Sequence, residues 1–316
     1  MNTSFVPEGR LTREFPKYRG KAIKSMIANR AIISAYVNSV SEDGEVQIKI
    51  GKNVDGFIKC EQFIDNVGTV KKDGHSAKHM LGKMISVVII DIKSKDIDKY
   101  YVEASRKKAQ HICRSIHLSR LRCGDIIDAS ILSASDNGIF CDIGCGIVSI
   151  MAIKDFGVSK MLYPKYQLKG IRNIRVVVKK ISDSNIYVSH KELLGTWEEN
   201  ASQLSIGENI KGQVIQSNEK GIFIRVKYNL YGLADANEKV QVGSIVEARV
   251  INVVPNKMKL KLELVQELLE EYEREPIKYM VKPGLNRIEY WRYSPESCDR
   301  VIETVFNNEK GVDKVG

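Results

Sequence analysis

A chain of 316 residues with 43% hydrophobic content is long enough for two or three small domains, each with a core of its own. Its formal charge of +10 favours a polyanionic partner such as nucleic acid. No apolar run approaches bilayer length and residues 1–20 hold no hydrophobic signal core, so the sequence argues against a membrane association and for a cytoplasmic location.

Residues 1–30 read as a basic arm that packs loosely on the next domain, with a short helix over Lys21 to Ile27. From Ala31 the chain repeats itself. The first copy, 31–106, has apolar runs at Ala31 to Val37, Glu45 to Ile50, Asp55 to Lys59, Met84 to Ile92 and Tyr100 to Ser105, with the turn Glu42-Asp43-Gly44 between the first two. Residues 107–124 follow as a linker helix, cationic through Lys107, Lys108, Arg114, Arg120 and Arg122 and apolar at Ala109, Ile112, Cys113 and Ile116. His111, Cys113, His117 and Cys123 do not follow a zinc spacing, nor do His75 and His79, and no metal is expected.

The second copy, 125–190, runs from Ile126 to Leu132, turns at Asp136-Asn137-Gly138, and continues through Ile139 to Ile143, Arg175 to Lys179 and Ile186 to Ser189. Its long loop and fourth run carry Lys160, Lys165, Lys169, Arg172, Arg175, Lys179 and Lys180 with no acid among them, and the loop adds Tyr163 and Tyr166. A second linker helix is expected over 191–206, where Trp197 lies on an apolar stripe with Leu193, Leu194, Ala201 and Leu204 and should pack domains together. The third copy, 207–263, repeats the order with its turn glycine at Gly221. The tail, 264–316, reads as two amphipathic helices. One holds Leu264, Val265, Leu268, Leu269 and Tyr272 and stops at Pro276; the other is capped by Ser294 and Pro295 and carries Val301, Ile302, Val305 and Phe306. Between them Tyr290-Trp291-Arg292-Tyr293 suits core packing, and 307–316 suit disorder.

Five short strands per unit, with the longest connection after the third, predict a mainly β protein of three tandem five-stranded OB-type barrels joined by short helices, with a helical tail. Gly44, Gly138 and Gly221 stand where a hairpin favours positive φ. The cysteines, Cys60, Cys113, Cys123, Cys141, Cys145 and Cys298, lack paired spacing and read as reduced thiols.

The repeats resemble the S-one RNA-binding motif, the OB-fold repeat of the largest protein of the bacterial small ribosomal subunit. The resemblance rests on Asn137-Gly138-Ile139-Phe140 and Lys220-Gly221-Ile222-Phe223, on Gly56-Phe57-Ile58-Lys59 and Gly232-Leu233-Ala234-Asp235, and on Ala104-Ser105-Arg106-Lys107 and Val188-Ser189-His190-Lys191. It implies stacking of unpaired bases on an aromatic before the turn glycine, on another two residues after it, and on a third-strand histidine, with cations on the phosphates. Here the first aromatic is replaced by Asp43, Asn137 and Lys220, the second is Val46, Phe140 and Phe223, and the histidine position holds Lys59, Ala152 and Asp235. The candidate RNA-binding residues are therefore Phe140, Tyr163, Tyr166, Lys160, Lys165, Lys169, Arg172 and Arg175 in the middle copy and Phe223, Lys211, Lys220 and Arg225 in the third.

No phosphate-cradling loop, nucleophile elbow or catalytic carboxylate cluster is legible, so neither catalysis, nor a cofactor, nor a small-molecule substrate is expected. The expected function is holding single-stranded RNA or mRNA in translation, with ribosomal proteins as further partners. The alternatives are a scaffold that docks on a ribosome or RNA-processing complex through the degenerate first barrel and the tail, and the RNA-holding part of a nuclease assembly.

Overall fold

Alternating burial along short strands is what the chain builds from, and the computed structural model describes residues 5–64, 75–182, 185–237, 239–269, 277–306 and 312–315. Helix α1 (Gly20–Ala28) buries Ile23 and Met26, one turn apart, against the first sheet. That sheet contains β1 (Ile33–Val40), β2 (Val46–Gly51), β3 (Val54–Ile58), β4 (Met84–Asp96) and β5 (Lys99–Ser105), with the short α2 (His75–Lys78) before β4. Strand β2 shows the rule: Val46, Ile48 and Ile50 face inward while Gln47 and Lys49 face out. The sheet closes in the order β1-β2-β3-β5-β4, and β4 returns to β1 with Ile33 opposite Val87.

A composite helix leads onward: α3 (Arg106–Ile112), a π-helical turn at Cys113–His117 and a 3-10 turn at Leu118–Arg120. The second closed sheet is made of β6 (Ile126–Ser135), β7 (Gly138–Asp142), β8 (Val148–Met151), β9 (Asn173–Ile181) and β10 (Ile186–Ser189), with α4 (Pro164–Gln167) in its long loop. After α5 (Trp197–Ala201) the third closed sheet follows as β11 (Asn209–Asn218), β12 (Gly221–Lys227), β13 (Leu230–Ala234), β14 (Ile245–Val254) and β15 (Lys259–Leu268). In every sheet the second strand joins the first and third, and the fifth lies between the third and the fourth. The hairpins that open the second and third sheets close on Gly138 (φ 144°) and Gly221 (φ 127°), a backbone region that disfavours other residues.

The N-terminal arm is not loosely packed. The Glu8 carboxylate receives the Arg106 guanidinium at 2.8 Å, both buried, and its other oxygen accepts from the Ser86 N–H. The Glu8 main-chain N–H donates to Asp142 at 2.6 Å. Gly146 (φ 73°) lies so close to the Arg106 guanidinium that a Cβ there would stand 1.9 Å from Nη2. Phe5 stacks on His117 at 5.1 Å, and Gln110 donates to the Cys145 carbonyl. One hydrophobic cluster runs from Ile32 and Val88 of the first unit through Ala109 and Cys113 into the middle core. Arm and linker therefore join two sheets into one packed body.

The second junction is equally direct. Val158 donates to the Asn229 side chain, and Ser159 donates through N–H and hydroxyl to the carbonyls of Tyr228 and Lys227 on the β12–β13 turn. Trp197 is buried in the core of the third sheet with Trp291 and Tyr293, as a packing role requires.

The tail departs from the expected helix pair. Residues 264–268 extend β15, and β16 (Tyr290–Arg292), β17 (Ile302–Val305) and β18 (Val312–Val315) form a small antiparallel sheet. Alternation of Leu260, Leu262 and Leu264 already fits a strand, and the Ser294 hydroxyl accepts from the Ile302 N–H instead of capping a helix. Tyr272, Pro276, the side chain of His75 and most of the stretch expected to be disordered lie outside the described residues.

Candidate nucleic-acid interface

Alternation in β7 buries Ile139 and Cys141 and leaves Phe140 half-buried on the outer surface. Phe140 faces Ser133 of β6 on one side and Ile150 of β8 on the other. Ile150 in turn pairs with Tyr187 of β10, and Tyr187 with Lys180 of β9. One row across the sheet thus reads Ser133, Phe140, Ile150, Tyr187, Lys180, with the Lys180 ammonium 5.9 Å from the Tyr187 ring centre. Two aromatic rings, an apolar spacer and a cation are the chemistry a stacked base and its phosphate call for. Tyr187 was not picked out from the sequence, although alternation between Ile186 and Val188 marks it as outward-facing.

The corresponding row of the third sheet is Gln216, Phe223, Leu233 and Lys261, with Lys261 standing where the middle sheet has Tyr187, and Tyr231 lies 6.3 Å from the Phe223 ring. Lys220 and Lys211 are exposed nearby in sequence, on the hairpin turn and on β11.

The long loop of the middle unit presents Lys160, Lys165, Lys169 and Arg172 to solvent. Tyr163 is 62% and Tyr166 70% exposed, while Pro164 between them in the loop is buried. The loop lies toward the third sheet, where Gln167 Nε2 donates to Gln213 Oε1 at 2.7 Å.

Two expected phosphate contacts are spent internally. Arg225 is buried, with Nη2 donating to Gln213 at 3.0 Å, Nη1 donating to Gln167, and its guanidinium 5.5 Å from the Tyr228 ring centre. Arg225 shares the outward parity of Phe223 on β12 and is buried beneath the middle unit's loop, which makes it a bridge between the middle and third units. Arg175 donates to the Leu285 carbonyl at 3.1 Å and lies against Tyr279. Lys179 likewise donates to both oxygens of the buried Asp155, at 2.9 and 3.0 Å.

The first sheet shows a register difference. Ser39 opposes Gln47, whereas Ser133 opposes Phe140, so Gln47 takes the outward position and Val46 is fully buried. An aromatic pair missed in the sequence stands beside it: Phe57 stacks on Tyr101 at 5.6 Å, and the Tyr101 hydroxyl donates to Gln47 at 2.9 Å. The surrounding charges cancel. Lys59 and Lys93 both reach Glu103, at 3.2 and 2.8 Å, and Lys93 also reaches Asp91. The Lys93 hydrogen bond, helped by Lys59, holds the Glu103 carboxyl below its usual range.

Comparison with known proteins adds a distant likeness. No family model matches the chain. Small ribosomal subunit protein bS1 of Rickettsia conorii is 24% identical over 206 residues, 59% of this chain and 35% of that protein. The bS1 protein of Leuconostoc lactis is 23% identical over 171 residues, 50% of this chain and 39% of its own. A 4-hydroxy-3-methylbut-2-enyl diphosphate reductase of Fusobacterium nucleatum is 24% identical over 275 residues, 79% of this chain and 31% of the enzyme. A solved multidomain protein with nucleic acid binding domains from Streptococcus pneumoniae is 14% identical, with 79% of this chain and 77% of that one covered at a TM-score of 0.25. The chain spans about a third of the length of the curated relatives it matches. Among the described residues no helix is long and apolar enough to cross a membrane.

Proposed function

We propose that this chain is an RNA-binding protein of the S-one type, built on tandem OB-type barrels, which holds single-stranded RNA along the outer faces of its middle and third sheets. The observation that carries the reading is the row Phe140, Ile150, Tyr187, Lys180, together with the corresponding Phe223, Leu233 and Lys261 of the third sheet. The surface cations Lys160, Lys165, Lys169, Arg172, Lys211 and Lys220 would hold phosphates around these rows. The bS1 likeness supports a place in translation with mRNA and ribosomal partners, and action by binding without catalysis or cofactor belongs to the same proposal.

A filter-binding titration of the full chain with oligouridylate tests it. Affinity should fall linearly on logarithmic axes as salt rises, with a slope of about −0.7 for each phosphate contacted. A salt-independent affinity would contradict the account.

The ion-paired face of the first sheet favours a second reading for that unit alone, as a surface that docks protein. Partners retained on the immobilised chain after nuclease treatment, lost in a Phe57→Ala variant that still binds oligouridylate, would support it. Retention by that variant would argue against it.

A further inference from the structure

A cavity of about 500 Å³ opens where α1, β4 and α3 meet, and it is lined by none of the residues in the rows of the middle and third sheets. Its floor is aliphatic, from Ile27, Val88, Ile89 and Ile112. Its rim carries Arg30, Lys107, Lys108 and His111, and among the described residues no carboxylate lines it. Among the described residues none of these four makes an ion pair, in contrast to Lys59 and Lys93 on the same unit. Arg30 ends α1 in a left-handed conformation (φ 50°), with its N–H on the Ile27 carbonyl at 3.1 Å. Gln62 adds an amide to the wall, and its Oε1 is oriented by the Ser105 hydroxyl at 2.8 Å. Another cavity, at the second junction, has two of its three lining cations engaged by side chains: Arg225 donates to Gln213 and Lys227 to Gln203.

Size, floor and rim together select a ligand. The volume falls within the range of small-molecule sites, which runs from about 300 to 1,000 Å³. An apolar floor suits a flat ring system, the Gln62 amide suits its polar edge, and cations lacking carboxylate partners suit a phosphate chain. We infer that this cavity binds a phosphorylated nucleoside, with the base on the aliphatic floor and the phosphates against Arg30, Lys107 and Lys108. The same chemistry is offered by a free nucleoside triphosphate and by the 5′-phosphorylated end of an RNA chain.

Calorimetric titration of the full chain with ATP, GTP and inorganic tripolyphosphate, and with oligouridylate bearing a 5′-phosphate or a 5′-hydroxyl, tests this and separates the sources. A free-nucleotide site gives ATP or GTP binding at least about tenfold tighter than tripolyphosphate, since only the nucleoside engages the floor. An RNA-end site gives a comparable preference for the 5′-phosphorylated oligomer. In either case the exposed-surface variants Lys108→Ala and Arg30→Ala weaken the preferred ligand about five- to tenfold each, while Phe140→Ala and Lys165→Ala leave that preference unchanged. Tripolyphosphate equal to both nucleotides together with no 5′-phosphate preference, or a preference unmoved by Lys108→Ala and Arg30→Ala, would overturn the inference. Because Phe140→Ala acts only on the outer face, failure of this site is distinguishable from failure of the RNA-binding proposal.

Discussion

Phe140 and Tyr187 carry the proposed function at the level of single residues. Each stands half-buried on the outer face of the middle sheet, so truncation removes a stacking surface without opening the core. Phe140→Ala and Tyr187→Ala should each weaken oligouridylate binding by about 1–3 kcal/mol. Unchanged affinity, measured by fluorescence anisotropy, would remove that residue from the interface. Phe140 was legible in the sequence because it follows a turn glycine at a fixed offset; Tyr187 was missed because its neighbours on the face come from distant strands. A different residue, His190, contributes a pH dependence. His190 is buried between the rings of Phe156 and Tyr279, with Nδ1 3.0 Å from the Phe156 carbonyl, and burial holds its pKa down to about 4. The unfolded chain, with histidine near 6.5, binds the extra proton first as pH falls. Stability from this group is therefore complete above about pH 6.5 and is lost progressively toward pH 4, by roughly 3 kcal/mol in total. Denaturant unfolding of wild type and His190→Gln checks this, since the difference in their pH profiles isolates the one imidazole. Parallel profiles would contradict it.

At the level of elements, what matters is how strands and helices are fastened to one another. Arg106 opens α3, and its guanidinium meets Glu8 from the arm beside Asp142 of β7. Removing it in Arg106→Leu leaves buried carboxylates without their cation, and the expected loss is about 3–5 kcal/mol by urea unfolding. A loss below 1 kcal/mol would mean that the junction is held by packing alone. The strand order within each unit could be read from apolar alternation and turn glycines, which are local. The arm's packing could not, because Glu8, Arg106 and Asp142 lie far apart in the chain and none belongs to a short-range pattern. The tail misled for a related reason. Leu264, Val265, Leu268 and Leu269 satisfy helical spacing, but pairing of Ile245 with Leu268 and of Ala248 with Leu264 draws the segment into the third sheet. Tertiary hydrogen bonding outweighed a weak local preference.

At the level of the whole molecule, the two junctions determine whether separate binding faces act as one surface. Arg225 appeared in the sequence as a phosphate contact; in the folded chain it links Gln213 to Gln167 and so fastens the middle loop to the third sheet. Arg225→Met should therefore destabilise the chain by about 1–3 kcal/mol, since it takes the guanidinium donor from Gln167 Oε1 and one of two donors from Gln213 Oε1. It should also weaken a long oligomer that spans both faces more than a short one that fits a single face. Equal effects on both lengths would show that the faces bind independently. The central claim, that single-stranded RNA lies on the outer faces of the middle and third sheets, is tested most directly by photocrosslinking the full chain to oligouridylate carrying 4-thiouridine and mapping the linked peptides by mass spectrometry. The account predicts crosslinks on the β7 and β10 peptides at Phe140 and Tyr187 and on the β12 peptide at Phe223. Crosslinks confined to the first sheet, or their absence from all three of these peptides under conditions where RNA is bound, would contradict it.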